Sequence, residues 1–126
     1  MNPLPPYARF LGVRTEQVDG ELLFIMPFGE RVTGRPGYLH GGAIAGLLEF
    51  AAFGALFEAL GDERPVVKPV NVTVQYMRGG INHDTFAAAT VTRLGKRVAN
   101  VEAHAWQLSR EKPIAAAQMN VLLRRS

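Results

Sequence analysis

The chain has no cysteine among its 126 residues. Disulfides, thiolate metal sites and a cysteine nucleophile are excluded together, and a reducing compartment is expected. Serine is nearly as scarce. Ser109 sits in a charged turn and Ser126 ends the sequence, so neither suits a serine triad or a nucleophile elbow. The three histidines, His40, His83 and His104, lie far apart, and none has a neighbour at metal-ligand spacing. No glycine-rich stretch has the spacing of a phosphate loop or a dinucleotide fingerprint. No metal and no cofactor are therefore expected.

Long apolar runs are missing too. The longest, Ala43 to Phe57, spans 15 residues and carries Glu49 in its middle. It reads as too short and too costly to cross a bilayer. The opening Met-Asn-Pro-Leu-Pro-Pro has no basic stretch followed by an apolar one, so no signal peptide is expected and a cytoplasmic location follows. Net charge is +3 and the isoelectric point about 9.7. The basic residues form no dense run or aromatic ladder, which argues against nucleic acid. They cluster only as Arg93, Lys96 and Arg97 near one turn and as Arg124 with Arg125. Such clusters suit an anionic small molecule.

What is present is an ordinary globular composition, 48% hydrophobic and 20% charged, at a length that fits one domain over residues 1–126. Residues 3 to 12 read as a short N-terminal helix packing by its aromatic side, Tyr7 and Phe10. Val13 to Val18 and Leu22 to Phe28 flank Asp19-Gly20, a hairpin signal. Residues 29 to 42 hold six glycines or prolines in a loop that needs close backbone approach. Ala43 to Leu60 is rich in Ala and Leu, is apolar on every face and ends before Gly61, so it reads as a buried helix. After Pro65 the period changes to two. Val70, Val72, Val74 and Tyr76 alternate with polar residues, and strands follow at Asp84 to Leu94, Val98 to Leu108 and Ile114 to Leu123. The last is rich in alanine and helical by propensity alone. Strand is the better reading, since small residues let a sheet close tightly over a helix. One sheet cannot cover a helix that is apolar all round, so at least a dimer is expected.

Two features carry chemistry. Leu39-His40-Gly41-Gly42 stands at the start of the buried helix, where unpaired N–H groups point outward and glycine lets a ligand approach. Such donors suit a developing oxyanion. The plainer reading is that His40 caps the helix and the glycines make a tight turn. Glu49 is the only ionisable residue between Gly42 and Phe57. It is either a base or nucleophile in an apolar setting, or a polar break that meets solvent or an arginine. Gly41 and Glu49 are eight residues apart, about 12 Å along one helix. They meet at one carbonyl only if two copies set their helices side by side and antiparallel.

Gly37-Tyr38-Leu39-His40-Gly41-Gly42 with Leu48-Glu49, the strand Val70 to Met77 and the turn Gly95-Lys96-Arg97 resemble the hotdog thioesterases of the phenylacetate-degradation and 4-hydroxybenzoyl-CoA type. The resemblance runs along nearly the whole chain in the same order. It implies an α+β hotdog fold, a curved antiparallel sheet wrapped around one long central helix. It implies acyl-CoA hydrolysis in a homodimer or a dimer of dimers. Gly41 N–H would polarise the thioester carbonyl, His40 would fix the turn, and Glu49 of the other copy would attack or activate water. Gly42, Gly34 and Phe53 would border the substrate, and Lys96 and Arg97 would meet coenzyme A. The chain departs from the pattern at Gly34, where the family usually has Asn or Gln, and at Phe53 and Pro69, where some members have Ser or Thr. Thr33 and Arg35 are the candidates to substitute. The alternatives are a hotdog hydratase or dehydratase and a non-catalytic acyl-CoA-binding hotdog protein.

Overall fold

The structure, a computed structural model, describes residues 4–125. Residues 1–3 and Ser126 fall outside it, and with them the first residue of the expected N-terminal helix. Helix α1 is Pro6–Leu11, with proline in its first turn and Gly12 in the left-handed region closing it. It packs by Ala8 and Leu11, not by its aromatic side. Tyr7 and Phe10 remain 51% and 49% exposed, because a six-residue helix buries one stripe and the small one fits closest. Tyr7 still lies against the central helix at Gly46, where the missing side chain leaves room for the ring.

Strands β1 (Arg14–Val18) and β2 (Glu21–Met26) form the expected hairpin. Asp19 and Gly20 both have positive φ, 51° and 81°, as a tight two-residue turn requires. A single 3₁₀ turn at Glu30–Val32 begins the glycine-rich loop. Helix α2 then runs Gly41–Leu60, longer than the expected Ala43–Leu60, because Gly41 and Gly42 already make its first turn. At 20 residues it is long and apolar enough to cross a bilayer, which corrects the length argument made from the sequence. Half of it is buried here beneath the sheet.

Strands β3 (Val66–Tyr76), β4 (Thr85–Leu94), β5 (Val98–Trp106) and β6 (Ala115–Arg124) complete one antiparallel sheet in the order β1-β2-β4-β5-β6-β3. Strands β4, β5 and β6 form a meander, while α2 carries the chain across to β3 at the far edge. This is the α+β hotdog arrangement: a curved six-stranded sheet around one central helix. The alanine-rich segments are strands despite their propensity, since cross-strand pairing decides the matter. Ala103 faces Ala117 and Ala105 faces Ala115, and all four are buried. Small side chains bring the sheet close to Leu47, Leu48 and Leu56, which are fully buried. β3 starts earlier than expected and has a bulge between Pro69 and Asn71. The bulge shifts the alternation, so that Val67 and Val74 both reach the core.

Two side-chain networks brace the sheet. Buried Gln107, just past β5, donates to the carbonyl of Ile81 and the hydroxyl of Thr85, and accepts from the N–H of Ile81. It thereby fixes the loop before β4, whose Gly80 carbonyl takes the Leu39 N–H at 3.0 Å. On the outer face, Arg110 makes a two-pronged contact with Glu21, at 2.7 Å to each oxygen. Its Nε donates to His104 Nε2 at 3.0 Å, and its guanidinium stacks on Trp106.

His104 therefore serves as an acceptor and is held neutral. Burial first, and then the Arg110 charge, lower its pKa from the usual 6.5. The folded state then binds fewer protons than the unfolded chain just below that value, so stability is full above it and falls as pH drops through the lowered pKa. Glu21, its carboxyl lowered from 4.5 by the Arg110 hydrogen bond, adds a further loss at more acid pH. Urea unfolding between about pH 7 and pH 5 should show the wild type losing stability more steeply than His104→Gln, whose amide oxygen still accepts from Arg110. Parallel curves would contradict this.

Candidate active site

The glycine-rich loop folds back on itself before α2 begins. Gly34 N–H donates to the Tyr38 carbonyl at 2.9 Å, and Thr33 bridges to Leu39. His40 N–H donates to the Val32 carbonyl at 2.7 Å. These bonds set His40 in an extended conformation, φ −72° and ψ 134°, at the N-cap of α2.

The first turn of a helix leaves four N–H groups without intrahelical acceptors. Three of the four are accounted for, since His40 donates its own N–H to Val32 and accepts from Gly42 and Ala43. Its Nδ1 accepts from Gly42 N–H at 2.9 Å, and its carbonyl accepts from Ala43 and Ile44 at 3.1 and 3.2 Å. That leaves Gly41 N–H with no acceptor among the described residues. It lies at the positive end of a 20-residue helix. Since Nδ1 accepts, the proton of the neutral ring is assigned to Nε2.

The two glycines have different reasons. A Cβ on Gly42 would stand 3.0 Å from His40 Nδ1, so the cap needs glycine there. A Cβ on Gly41 would meet only the Tyr76 ring, at an ordinary 3.5 Å. The chain's own packing does not demand glycine at 41. Gly34 lies directly beneath His40, and a Cβ there would come 3.1 Å from His40 Cα. A side chain at 34 would therefore require the His40 backbone to give by a few tenths of an ångström. Neither expected substitute supplies a free group in its place. Thr33 donates its hydroxyl to the Gly29 carbonyl at 2.6 Å, and Arg35 stacks on Tyr38.

Glu49 lies two turns further along α2, half-buried, and its carboxylate has no hydrogen bond or ion pair among the described residues. It shares a strip with Gly42, Ala45 and Phe53, all partly or fully exposed. The helix is therefore not buried on every side, as its composition suggests. The sheet covers one face and α1 a second, and this strip stays open. Phe53 is half-buried and stacks on Phe57, which is 49% exposed.

Within one chain, then, His40, Gly41, Gly42 and Gly34 come together. Glu49 stands about 12 Å from Gly41. Lys96 and Arg97 lie further off, in the β4–β5 turn, sharing an open depression with Glu63, Arg124 and Arg125 beyond the C-terminal end of α2. One residue of this region was not singled out from the sequence. Tyr76, the last inward residue of β3, donates its hydroxyl to the Gly41 carbonyl at 2.9 Å. Its place in the Val72, Val74, Tyr76 alternation was the available signal.

Residues 36–114 match the model of the thioesterase superfamily. That span includes the His40-Gly41-Gly42 cap, all of α2 and strands β3, β4 and β5. The chain belongs to the thioesterase superfamily. Solved structures agree. A Chromobacterium violaceum protein is 34% identical over 96% of this chain and 84% of its own, with a TM-score of 0.72. A mutant of the thioesterase PA1618 of Pseudomonas aeruginosa is 25% identical over 94% of this chain and 85% of its own, with a TM-score of 0.80. The BH2602 protein of Bacillus halodurans, solved with CoA, shares the fold at 20% identity, over 98% of this chain and 81% of its own, with a TM-score of 0.86. No curated protein matches the chain. Thioester hydrolysis is the general activity that membership of this superfamily supports.

The cap can be tested apart from any activity. His40→Ala should lower the unfolding free energy by about 1 kcal/mol, and His40→Asn, whose side-chain oxygen accepts from the same N–H, should restore most of it. Equal stability of the Ala variant and the wild type in urea titrations would show that the cap bond contributes nothing.

Proposed function

We propose that this thioesterase-superfamily chain hydrolyses acyl-CoA thioesters as a homodimer, or a dimer of dimers, of single hotdog units. The observation that carries the reading is the lone Gly41 N–H at the N-terminus of α2. It is the donor a thioester carbonyl needs as negative charge develops on its oxygen. His40 holds the turn. Glu49 of the partner subunit either attacks the carbonyl carbon, forming an anhydride that water then hydrolyses, or takes a proton from a water as that water attacks. On either route the C–S bond breaks, the carboxylic acid is released and the coenzyme A thiolate leaves with a proton from the water consumed.

The need for a partner has its own support. The open strip of α2 carries Glu49 toward no group of its own chain. β3 pairs only with β6 and forms one edge of the sheet, with Val66, Val70 and Tyr76 all more than half exposed, at 59%, 62% and 54%. An unpaired apolar edge beside an uncovered helix strip is a surface that a second copy covers. An antiparallel partner brings its Glu49 beside Gly41. It also brings the far end of its α2, with Lys96 and Arg97, toward the same cleft, where their charge suits the phosphates of coenzyme A. Gly42 and Phe53 border that cleft, and Gly34 supports it from below. CoA in the BH2602 structure agrees with this choice of substrate. A cytoplasmic setting, where acyl-CoA is made and used, completes the proposal.

One observation favours a second reading. Gly34 is packed under His40 and Phe53 is stacked on Phe57, so the polar groups that some relatives carry at these positions have no counterpart. A protein that binds acyl-CoA without cleaving it would tolerate that. Thiol release from a panel of acyl-CoAs, measured for wild type and Glu49→Gln, separates the readings. Hydrolysis should fall by at least about 100-fold in the variant while acyl-CoA binding persists. Tight binding by the wild type with no thiol release would establish the binder, and a new double-bond product would establish a hydratase or dehydratase.

A further inference from the structure

The peptide group between Gly41 and Gly42 is held at both ends. Its N–H donates to His40 Nδ1 at 2.9 Å, and its carbonyl accepts from the Tyr76 hydroxyl at 2.9 Å. The preceding peptide group, between His40 and Gly41, is held at one end only. Its carbonyl serves Ala43 and Ile44, and its N–H is the lone free donor. The direction of that donor is thus set by what grips its two neighbours. Consecutive glycines have the widest backbone freedom of any residues, so the bonds that hold their peptide groups in the first turn of α2 matter more than elsewhere.

We propose that Tyr76 is a positioning residue, its hydroxyl aiming the Gly41 N–H by anchoring the Gly41 carbonyl to the sheet. The consequence for catalysis rests on the acyl-CoA hydrolase reading given above. The anchorage itself does not.

Three observations support the role. First, the tie joins different elements, from the end of β3 to the first residue of α2. Second, the β3 end is itself fixed. Tyr76 pairs with Ala115 of β6, and the next two N–H groups, of Met77 and Arg78, both donate to the Ile114 carbonyl at 2.8 and 3.2 Å. Third, the tyrosine is 54% exposed. Within one chain water would solvate its hydroxyl, so the chain's own packing does not force the bond to Gly41 by burying the group. Such a bond adds little to global stability but still fixes a geometry. The ring supports the same point from the side, with Cε1, Cζ and Oη each 3.5 Å from where a Gly41 Cβ would stand. The bond also runs in series with the His40 cap, and each polarises the shared peptide in the sense that strengthens the other.

The test is Tyr76→Phe, which keeps the ring and removes the donor. Two measurements are made on the full chain. One is steady-state hydrolysis of the best acyl-CoA substrate. The other is amide hydrogen exchange of Gly42 without substrate. The expected result is a fall in kcat of about ten-fold with KM within about two-fold and an unchanged melting temperature, because a misaimed donor costs transition-state contact more than binding. Exchange at Gly42 should quicken, because its bond to His40 Nδ1 loosens with the shared peptide, whereas the unbonded Gly41 N–H has no such protection to lose. Wild-type kcat in the variant would overturn the proposal. So would a loss of activity that follows a lowered melting temperature, since that marks a merely structural tyrosine. Should the wild type hydrolyse no acyl-CoA, the functional reading falls, and exchange alone decides the anchorage. Faster exchange in Tyr76→Phe supports it, and equal exchange overturns it.

Discussion

Gly42 N–H donating to His40 Nδ1 is the interaction on which this molecule's first helical turn is built. A helix N-terminus ordinarily leaves several donors to water. Here one residue, through its ring nitrogen and its carbonyl, takes two, its own N–H goes to Val32, and the Gly41 N–H is left. The glycine at 42 exists to let the imidazole lie close, and the glycine at 34 exists to let the loop pass beneath His40. A side chain at 34 would press on the backbone that carries the cap.

The rest of the fold holds that turn still. The loop bearing His40 is tied through Leu39 to Gly80, and the segment around Gly80 is tied by Gln107 to the start of β4 and the end of β5. The alanine-lined inner faces of β5 and β6 let the sheet close on α2 and fix its axis. What the sheet and α1 leave uncovered is one strip of α2 and the edge of β3. On the proposed reading that gap is the seat of a second copy, and the same geometry that buries apolar surface brings a carboxylate to the unpaired N–H.

Much of this was legible in the sequence. The period-two pattern, the Asp19-Gly20 turn, the all-apolar stretch and its Gly61 stop gave the elements and their order. His-Gly-Gly before an apolar helix pointed to its N-terminus, and the lone Glu49 stood out by its charge. Other features were not legible, for physical reasons. The β3 bulge depends on how Pro69 meets β6, which no local pattern records. The seating of α1 by Ala8 and Leu11, with the Tyr7 ring over Gly46, depends on space that only the folded helix pair defines. Tyr76 reads as one more alternating strand residue, since its hydrogen bond spans 35 positions of sequence. The open strip of α2 could not be seen in composition, because Ala45 and Phe53 are as apolar as the buried residues beside them.

The central claim is that each site takes its N–H from one copy and its carboxylate from the other. Mixing two inactive variants tests it most directly. Gly41→Pro removes the donor while proline at the first helical position preserves the helix, and His40 already has the extended conformation that a residue before proline requires. Glu49→Gln removes the carboxylate. After unfolding and refolding together, mixed dimers would have one doubly damaged site and one intact site. Random pairing should return roughly a quarter of wild-type hydrolysis per chain, by the binomial count for a two-site dimer. Activity no higher than the sum of the separate variants, with mixed dimers shown to form, would place both groups in one chain's site and contradict the account.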